Sequence, residues 1–268
     1  MKKFLGLLIL SLVSLSACAQ KKAEKSLSPA AVNPDVEKVS RVLSMMSERA
    51  RNEIQITDKE DFLKDLYFVL AEEKKYTSED LPLYYLIDKK HSVSSDYVPR
   101  NLVPLVKNDL YSINRNDLSL RPDVEKALWA MAEASLKDGV RLLVSSTYRS
   151  YQYQEKLFAR WVQIDGLEEA ERESARPGTS QHQLGCAIDF GSITDNFADT
   201  TMGKWMYENG AKYGWSLSFP KNYEDITGYR WESWHFRYIG VPACRFQEKW
   251  FRNVQQYMLE YIDLWKNN

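Results

Sequence analysis

The sequence predicts an α+β fold in which a few short β-rich runs lie between and beside helical segments. Apolar residues recur at helical spacing near both ends of the chain and again in its middle, while residues 142–145, 185–190 and 234–239 are short runs of β-favouring composition. A third observation sets the scale: 268 residues with 44% apolar content describe a globular protein with one main core. The formal charge of −1 gives no positive field to gather phosphates, and Lys and Arg are spread along the chain, so nucleic acid is not an expected partner.

Residues 1–17 read as a signal segment, with Lys2 and Lys3 ahead of an apolar run over 4–15 that is too short to span a bilayer. Leu15-Ser16-Ala17-Cys18 resembles the bacterial lipobox, which makes Cys18 a lipid-carrying anchor; the alternative is an ordinary secretory signal. The lipid tethers a chain without crossing the membrane. The expected location is therefore the bacterial cell envelope, facing the periplasm or the exterior. Residues 18–34, rich in Lys, Ala and Ser, form a flexible tether. An N-terminal helical region over 35–82 follows. Val36, Val39, Val42, Leu43 and Met46 predict one helix over 35–50, and Phe62, Leu63, Leu66, Val69 and Leu70 a second, together a covering layer.

The remaining chain, 83–268, carries the chemistry. Residues 83–105 read as strand and loop, with His91 a surface histidine among Lys90, Ser92 and Ser94. Pro122-Asp123 opens a helix with Val124, Leu128, Met131 and Leu136 on one side, ended by Gly139. A strand over 142–145 runs into a helix carrying Leu157, Phe158 and Trp161, which puts Arg149 at a strand-to-helix corner. Its planar donor fork there either grips a carboxylate or carbonyl oxygen of a ligand, or pairs with Glu155 or Glu173. A long helix over 245–265 closes the chain, with Trp250, Val254, Tyr257, Met258 and Tyr261 as a core stripe. Cys186 and Cys244 remain beside the anchor in an oxidising compartment, where a disulfide is permitted, and Cys186 is expected to face the core.

Two of the three histidines lie in segments that also hold carboxylates, Ser180-Gln181-His182-Gln183-Leu184-Gly185-Cys186-Ala187-Ile188-Asp189 and Glu232-Ser233-Trp234-His235. Such a set can hold one zinc ion and activate water on it. Gly185, Ala187 and Asp189 share one face of a buried strand, where small residues leave room for metal and substrate; His235, Arg237 and Ile239 share a face of a neighbouring strand. Glu232 stands three residues before His235, and three steps along a strand reverse the face. It therefore belongs on the loop leading in, as a general base beside the metal rather than a ligand. His182, Asp189 and His235 would leave a fourth position open. Spacing alone also permits Asp189 as the buried partner of an arginine and two unrelated histidines.

Ser180-x-His182-x-x-Gly185-x-Ala187-x-Asp189 with Glu232-x-Trp234-His235 resembles the paired signature of the LAS metallopeptidases, which include D-alanyl-D-alanine carboxypeptidases of the VanY type. Tyr148-Arg149-Ser150-Tyr151-x-x-Gln154 resembles the family's substrate-side segment, Asp96-Tyr97-Val98-Pro99 with Leu102-Val103 its opening segment, and Tyr213-Gly214-Trp215 before Phe219-Pro220 its central strand. The similarity covers residues 83–242 or so. It implies a small, mostly antiparallel sheet that holds one zinc ion and is flanked by helices. It implies His182, Asp189 and His235 as ligands, Glu232 as general base and acid, and Arg149 as the group that steadies the oxyanion. Gln154 and Ser180 would bind the substrate end, and Trp234 would shape the wall. The implied substrate is a peptidoglycan stem peptide losing its C-terminal D-alanine. A monomer is the expected state, though nothing in the residues sets it. LD-carboxypeptidase action on tetrapeptide stems, and a non-catalytic wall-peptide binder, are the alternatives. Ser218 and Ser233 depart from the family pattern, where Arg and Pro are frequent.

Overall fold

The computed structural model describes residue 1, residues 33–76 and residues 80–268. The signal segment, nearly all of the tether and Cys18 lie outside the described residues. Residues 34–268 form one compact unit. Among the described residues, no helix is long and apolar enough to cross a membrane.

The first expected helix is two. Helix α1 (Pro34–Met45) stops where Ser47 caps α2 (Glu48–Glu53), its Oγ accepting from Ala50 N at 3.1 Å. Helix α3 (Lys59–Glu73), capped by Asp58, matches the second expected stripe. Both layers pack on the C-terminus. Phe62 of α3 is fully buried among Phe246, Trp250 and Tyr261, with ring centroids 5.1–5.3 Å apart. The expected C-terminal helix is likewise split, into α8 (Val241–Trp250) and α9 (Gln255–Asn267). Arg252 and Asn253 take left-handed backbone (φ +52° and +58°), and Gln247 Nε2 donates to Asn253 O at 3.0 Å and Oδ1 at 2.8 Å, fixing the break. The predicted stripe is buried all the same, because burial follows the apolar pattern on both sides of the turn.

Residues 83–105 are mainly irregular loop with short turns, and a strand only at β1 (Val103–Pro104). This pairs antiparallel with β3 (Ser119–Leu120), beyond β2 (Ser112–Ile113). Helix α4 (Pro122–Lys137) buries Val124, Leu128 and Met131 as expected, with Ser135 rather than Leu136 completing the buried row. Strand β4 (Leu143–Ser146) feeds α5 (Tyr151–Glu173), which is interrupted at Gly166, φ +81°. After β5 (Ala187–Phe190) come α6 (Thr201–Asn209), β6 (Trp215–Leu217), the short α7 (Glu224–Thr227) and β7 (His235–Tyr238).

The main sheet has the order β2-β4-β5-β7-β6, parallel only between β2 and β4, so it is mostly antiparallel and flanked by helices. Its register does the positioning. Asp189 on β5 stands opposite His235 on β7 and beside Ser146 on β4. The N-terminal helices brace the loop between β6 and β7: Arg49 donates to Asn222 O (3.1 Å), and Glu53 accepts from the hydroxyls of Tyr223 (3.0 Å) and Tyr257 (3.2 Å).

Candidate active site

His182 rides on a tight 3-10 turn, Gln181–Leu184, whose start is capped by Ser180 Oγ accepting from His182 N (3.3 Å) and whose end is Gly185 at φ +68°. Gly185 is therefore a turn residue and not, as its spacing suggested, a strand position that leaves room for metal. A Cβ there would meet Arg121, Leu102 and Pro99 at 3.2 Å. His182 is completely buried, and its Nδ1 lies 2.6 Å from Thr147 O. A carbonyl only accepts, so Nδ1 carries the proton and Nε2 offers a lone pair. The same argument fixes the other imidazole. His235 Nε2 lies 3.2 Å from Gln181 Oε1, an atom that also accepts from Ser218 Oγ at 2.7 Å, which leaves Nδ1 as the lone-pair nitrogen.

Both lone pairs face one carboxylate. Asp189 Oδ2 is 3.2 Å from His182 Nε2, and Asp189 Oδ1 is 3.0 Å from His235 Nδ1. Donor atoms about 2.05 Å from a tetrahedral ion stand about 3.3 Å apart, so these separations fit zinc. His182 Nε2 and Asp189 Oδ1 are buried and lack hydrogen-bond partners among the described residues, as befits atoms shaped for an ion rather than for each other. One donor atom from each of the three residues falls within 4.8 Å of the others. Thr147 and Gln181 supply the outer support that orients metal-binding imidazoles.

Glu232 lies on the loop before β7, outside this triad, with Oε2 3.5 Å from His235 Nδ1. Its loop position is the one expected from the reversal of face three steps along a strand. Burial and then the Asp189 charge hold its carboxyl well above the usual range, partly offset by Arg149 and Arg230. Arg149 sits at the β4–α5 corner with Nε unpartnered among the described residues. Burial lowers its pKa, while Asp189 and Glu232 oppose that. Glu173, one partner considered for it from spacing, pairs instead with Arg230 Nε at 3.2 Å.

Two arms of a cleft meet at Glu232. Ser180 lines the smaller and Trp234 the larger, and Arg149 and Glu173 line both. Gln154 lines neither. It is buried, and its Nε2 donates to Ser174 Oγ (3.2 Å) and Ala175 O (2.7 Å), so it supports the wall formed by those residues from behind. His91 is exposed, paired with Asp88 at 2.8 Å. Arg237 shares the His235 face as expected and donates to Leu83 O (2.8 Å) and Tyr85 O (2.9 Å), anchoring the 83–86 segment. Cys186 and Cys244 are buried and free. Of the departures, Ser218 holds Gln181, and Ser233 Oγ donates to the carbonyls of Thr194 and Asp195. Phe219, whose ring lies 4.8 Å from His235, and Tyr229 are site residues that spacing did not reveal.

Burial, followed by the Arg149 charge, lowers the His182 pKa to about 4. In an unfolded chain it is about 6.5. Between those values the unfolded state binds the extra proton, so this group's contribution to stability is present above pH 6.5 and is lost as pH falls to about 4. Glu232, whose pKa is raised, has the opposite sign above about pH 4.5 and masks the effect. Metal-free Glu232→Gln protein should therefore lose about 3 kcal/mol of stability between pH 6.5 and 4, measured by denaturant unfolding. Metal-free protein with Glu232 intact should change less.

A buried His-Asp-His set, held by a 3-10 turn and two antiparallel strands, with a carboxylate beside it and a guanidinium lining the same cleft, defines a metallopeptidase type of site. The family profile described as VanY, D-alanyl-D-alanine carboxypeptidase, matches residues 117–241, which contain all of these groups, and the chain belongs to that family. The chain is 31% identical over 176 residues to the bifunctional D-Ala-D-Ala dipeptidase and D-Ala-D-Ala carboxypeptidase VanXYC of Enterococcus gallinarum, a match covering 62% of this chain and 88% of that one. It is 35% identical over 166 residues to YodJ of Bacillus subtilis (strain 168), covering 60% of this chain and 61% of YodJ, so it spans about three fifths of that relative's length. Among solved structures, the LdcB LD-carboxypeptidase superposes with a TM-score of 0.59 at 31% identity, over 66% of this chain and 84% of that one.

Proposed function

We propose that this protein is a zinc-dependent D-alanyl-D-alanine carboxypeptidase that removes the C-terminal D-alanine of peptidoglycan stem peptides. The observation that carries the reading is the convergence of His182, Asp189 and His235 on one point, with the Glu232 carboxylate beside them but outside the set. Zinc, when held there, supplies a Lewis acid able to lower the pKa of water from 15.7 to about 7. Glu232 takes the proton of the attacking water and hands it to the departing amine nitrogen. Arg149 donates to the scissile carbonyl oxygen as that atom gains negative charge, from a corner that needs no rearrangement. Thr147 and Gln181 keep both imidazoles in the tautomer that faces the carboxylate.

VanXYC, a relative named for D-Ala-D-Ala carboxypeptidase action, supports this substrate class. The likeness to LdcB supports a second reading, LD-carboxypeptidase action on tetrapeptide stems, on the same machinery. A non-catalytic binder has no use for Glu232. In this reading Cys18 carries the lipid anchor and residues 18–34 tether the enzyme at the cell envelope.

Mass spectrometry of protein incubated with pentapeptide or tetrapeptide stems, with and without a chelator, tests the reading. Chelator-sensitive loss of one alanine from the pentapeptide is the expected result. Loss only from the tetrapeptide establishes the LD activity instead, and no cleavage of either refutes the enzyme.

A further inference from the structure

The segment between β6 and β7, residues 218–234, gives Phe219, Tyr229 and Glu232 to one arm of the cleft and Arg230, Glu232 and Trp234 to the other. It belongs to no sheet, since β6 ends at Leu217 and β7 begins at His235. Its backbone is folded on itself instead. Tyr223 N donates to Pro220 O at 3.3 Å, Thr227 N to Tyr223 O at 2.9 Å, and Glu232 N to Phe219 O at 3.1 Å. Thr227 Oγ1 also joins Tyr223 O (3.1 Å) to the Tyr229 backbone N (3.2 Å). A shift of Tyr223 is therefore passed both ways, through Pro220 to Phe219 and Glu232, and through Thr227 to Tyr229.

Tyr223 is the point at which helix α2 takes hold of this loop. Glu53 Oε2 accepts from the hydroxyls of Tyr223 (3.0 Å) and of Tyr257 on α9 (3.2 Å), while Glu53 Oε1 accepts from Arg49 Nε at 2.8 Å. Arg49 lies 4.4 Å over the Tyr223 ring, donates to Asn222 O at 3.1 Å and pairs with Asp225. One carboxylate thus ties together α2, α9 and the loop, by hydrogen bonds of the stronger, charge-assisted kind. Helix α2 lies outside residues 117–241, the span of the family match, so the support comes from the N-terminal helices. A second clamp holds the loop nearer Glu232, where Arg230 pairs with Glu173 (3.2 Å) and Asp195 (2.9 Å). Losing Glu53 would free the middle of the loop without releasing its end.

We infer that Glu53 is a positioning residue for the reaction: acting through Tyr223, it sets where the loop places Glu232 in the cleft. This rests on the carboxypeptidase reading, in which Glu232 moves the proton.

The test introduces Glu53→Ala into the full-length protein and, separately, into Glu232→Gln protein, with pentapeptide stem as substrate. A misplacement of about 1 Å can cost about a hundredfold, and with the Arg230 clamp intact kcat should fall about tenfold at unchanged zinc content. Glu53→Gln, which keeps an acceptor for the two hydroxyls, should recover most of that loss. In Glu232→Gln protein, which has no base to place, Glu53→Ala should alter the residual rate by less than about threefold. General loosening of the fold would lower both rates alike. A Glu53→Ala kcat within about threefold of the unmodified protein, equal falls in both backgrounds, or loss of zinc would each overturn the assignment. If the unmodified protein cleaves no stem peptide, the carboxypeptidase reading fails, and amide hydrogen exchange then tests the brace without activity. Amides of residues 219–229 should exchange faster in Glu53→Ala protein while those of β7 do not, and unchanged exchange in the loop would overturn it.

Discussion

Replacing Glu232 by glutamine should lower kcat by about two to four orders of magnitude, the usual contribution of a positioned acid–base group, while leaving the zinc content at one ion per chain. The expectation follows from where the side chain is held. Glu232 is fixed by its backbone, which donates from N to Phe219 O (3.1 Å) and accepts at O from His235 N (3.3 Å), so the side chain sits at one edge of the triad without joining it. An amide has the same shape and keeps those backbone bonds, but it has no basic oxygen to take a proton. Burial and the neighbouring Asp189 charge disfavour its ionised form until a cation is held beside it, so the neutral amide leaves the metal-free fold with no new buried charge. The check is alanine release and metal content on the same preparation. A variant that hydrolyses stem peptide at near wild-type rate, or one that loses its metal, would sink the assigned role.

The parts of the site legible in the sequence are those that obey periodicity. Strand alternation put His235 and Arg237 on one face, and parity moved Glu232 off the strand and onto the loop. The small-residue argument failed at Gly185, because a glycine chosen for a left-handed turn and one chosen for open space look alike in one dimension. Gln154 was placed at the substrate, whereas it braces Ser174 and Ala175 from behind. Thr147 could not have been found, since it acts through its carbonyl, which every residue has. Tyr229 is hidden for a similar reason: with so many tyrosines in the core, nothing in one dimension separates one that lines the cleft from Tyr257 or Tyr261. The apolar stripes of the helices were readable, but the breaks at Ser47 and at Arg252-Asn253 were not, because side-chain caps from Ser47 and Gln247 set them rather than the stripe.

His182→Ala should abolish activity by a different route, loss of the metal. The imidazole is completely buried, is held by Thr147 O, and supplies one of three protein donors. Removing it leaves Asp189 and His235, too few to hold zinc against a competing chelator. It also leaves the Asp189 carboxylate buried with one imidazole in place of two, and that carboxylate owes its low pKa to both histidines working against burial. The variant should therefore retain little zinc after dialysis against chelator, and activity should fall in proportion to metal lost. Free imidazole, which fits the vacated volume, should restore part of both. Metal content by plasma mass spectrometry separates this outcome from the Glu232 result: inactivity with zinc retained assigns proton transfer, and inactivity with zinc lost assigns ligation. If His182→Ala protein keeps a full complement of zinc, the donor set is not the one that the geometry of Asp189 and the two histidines defines.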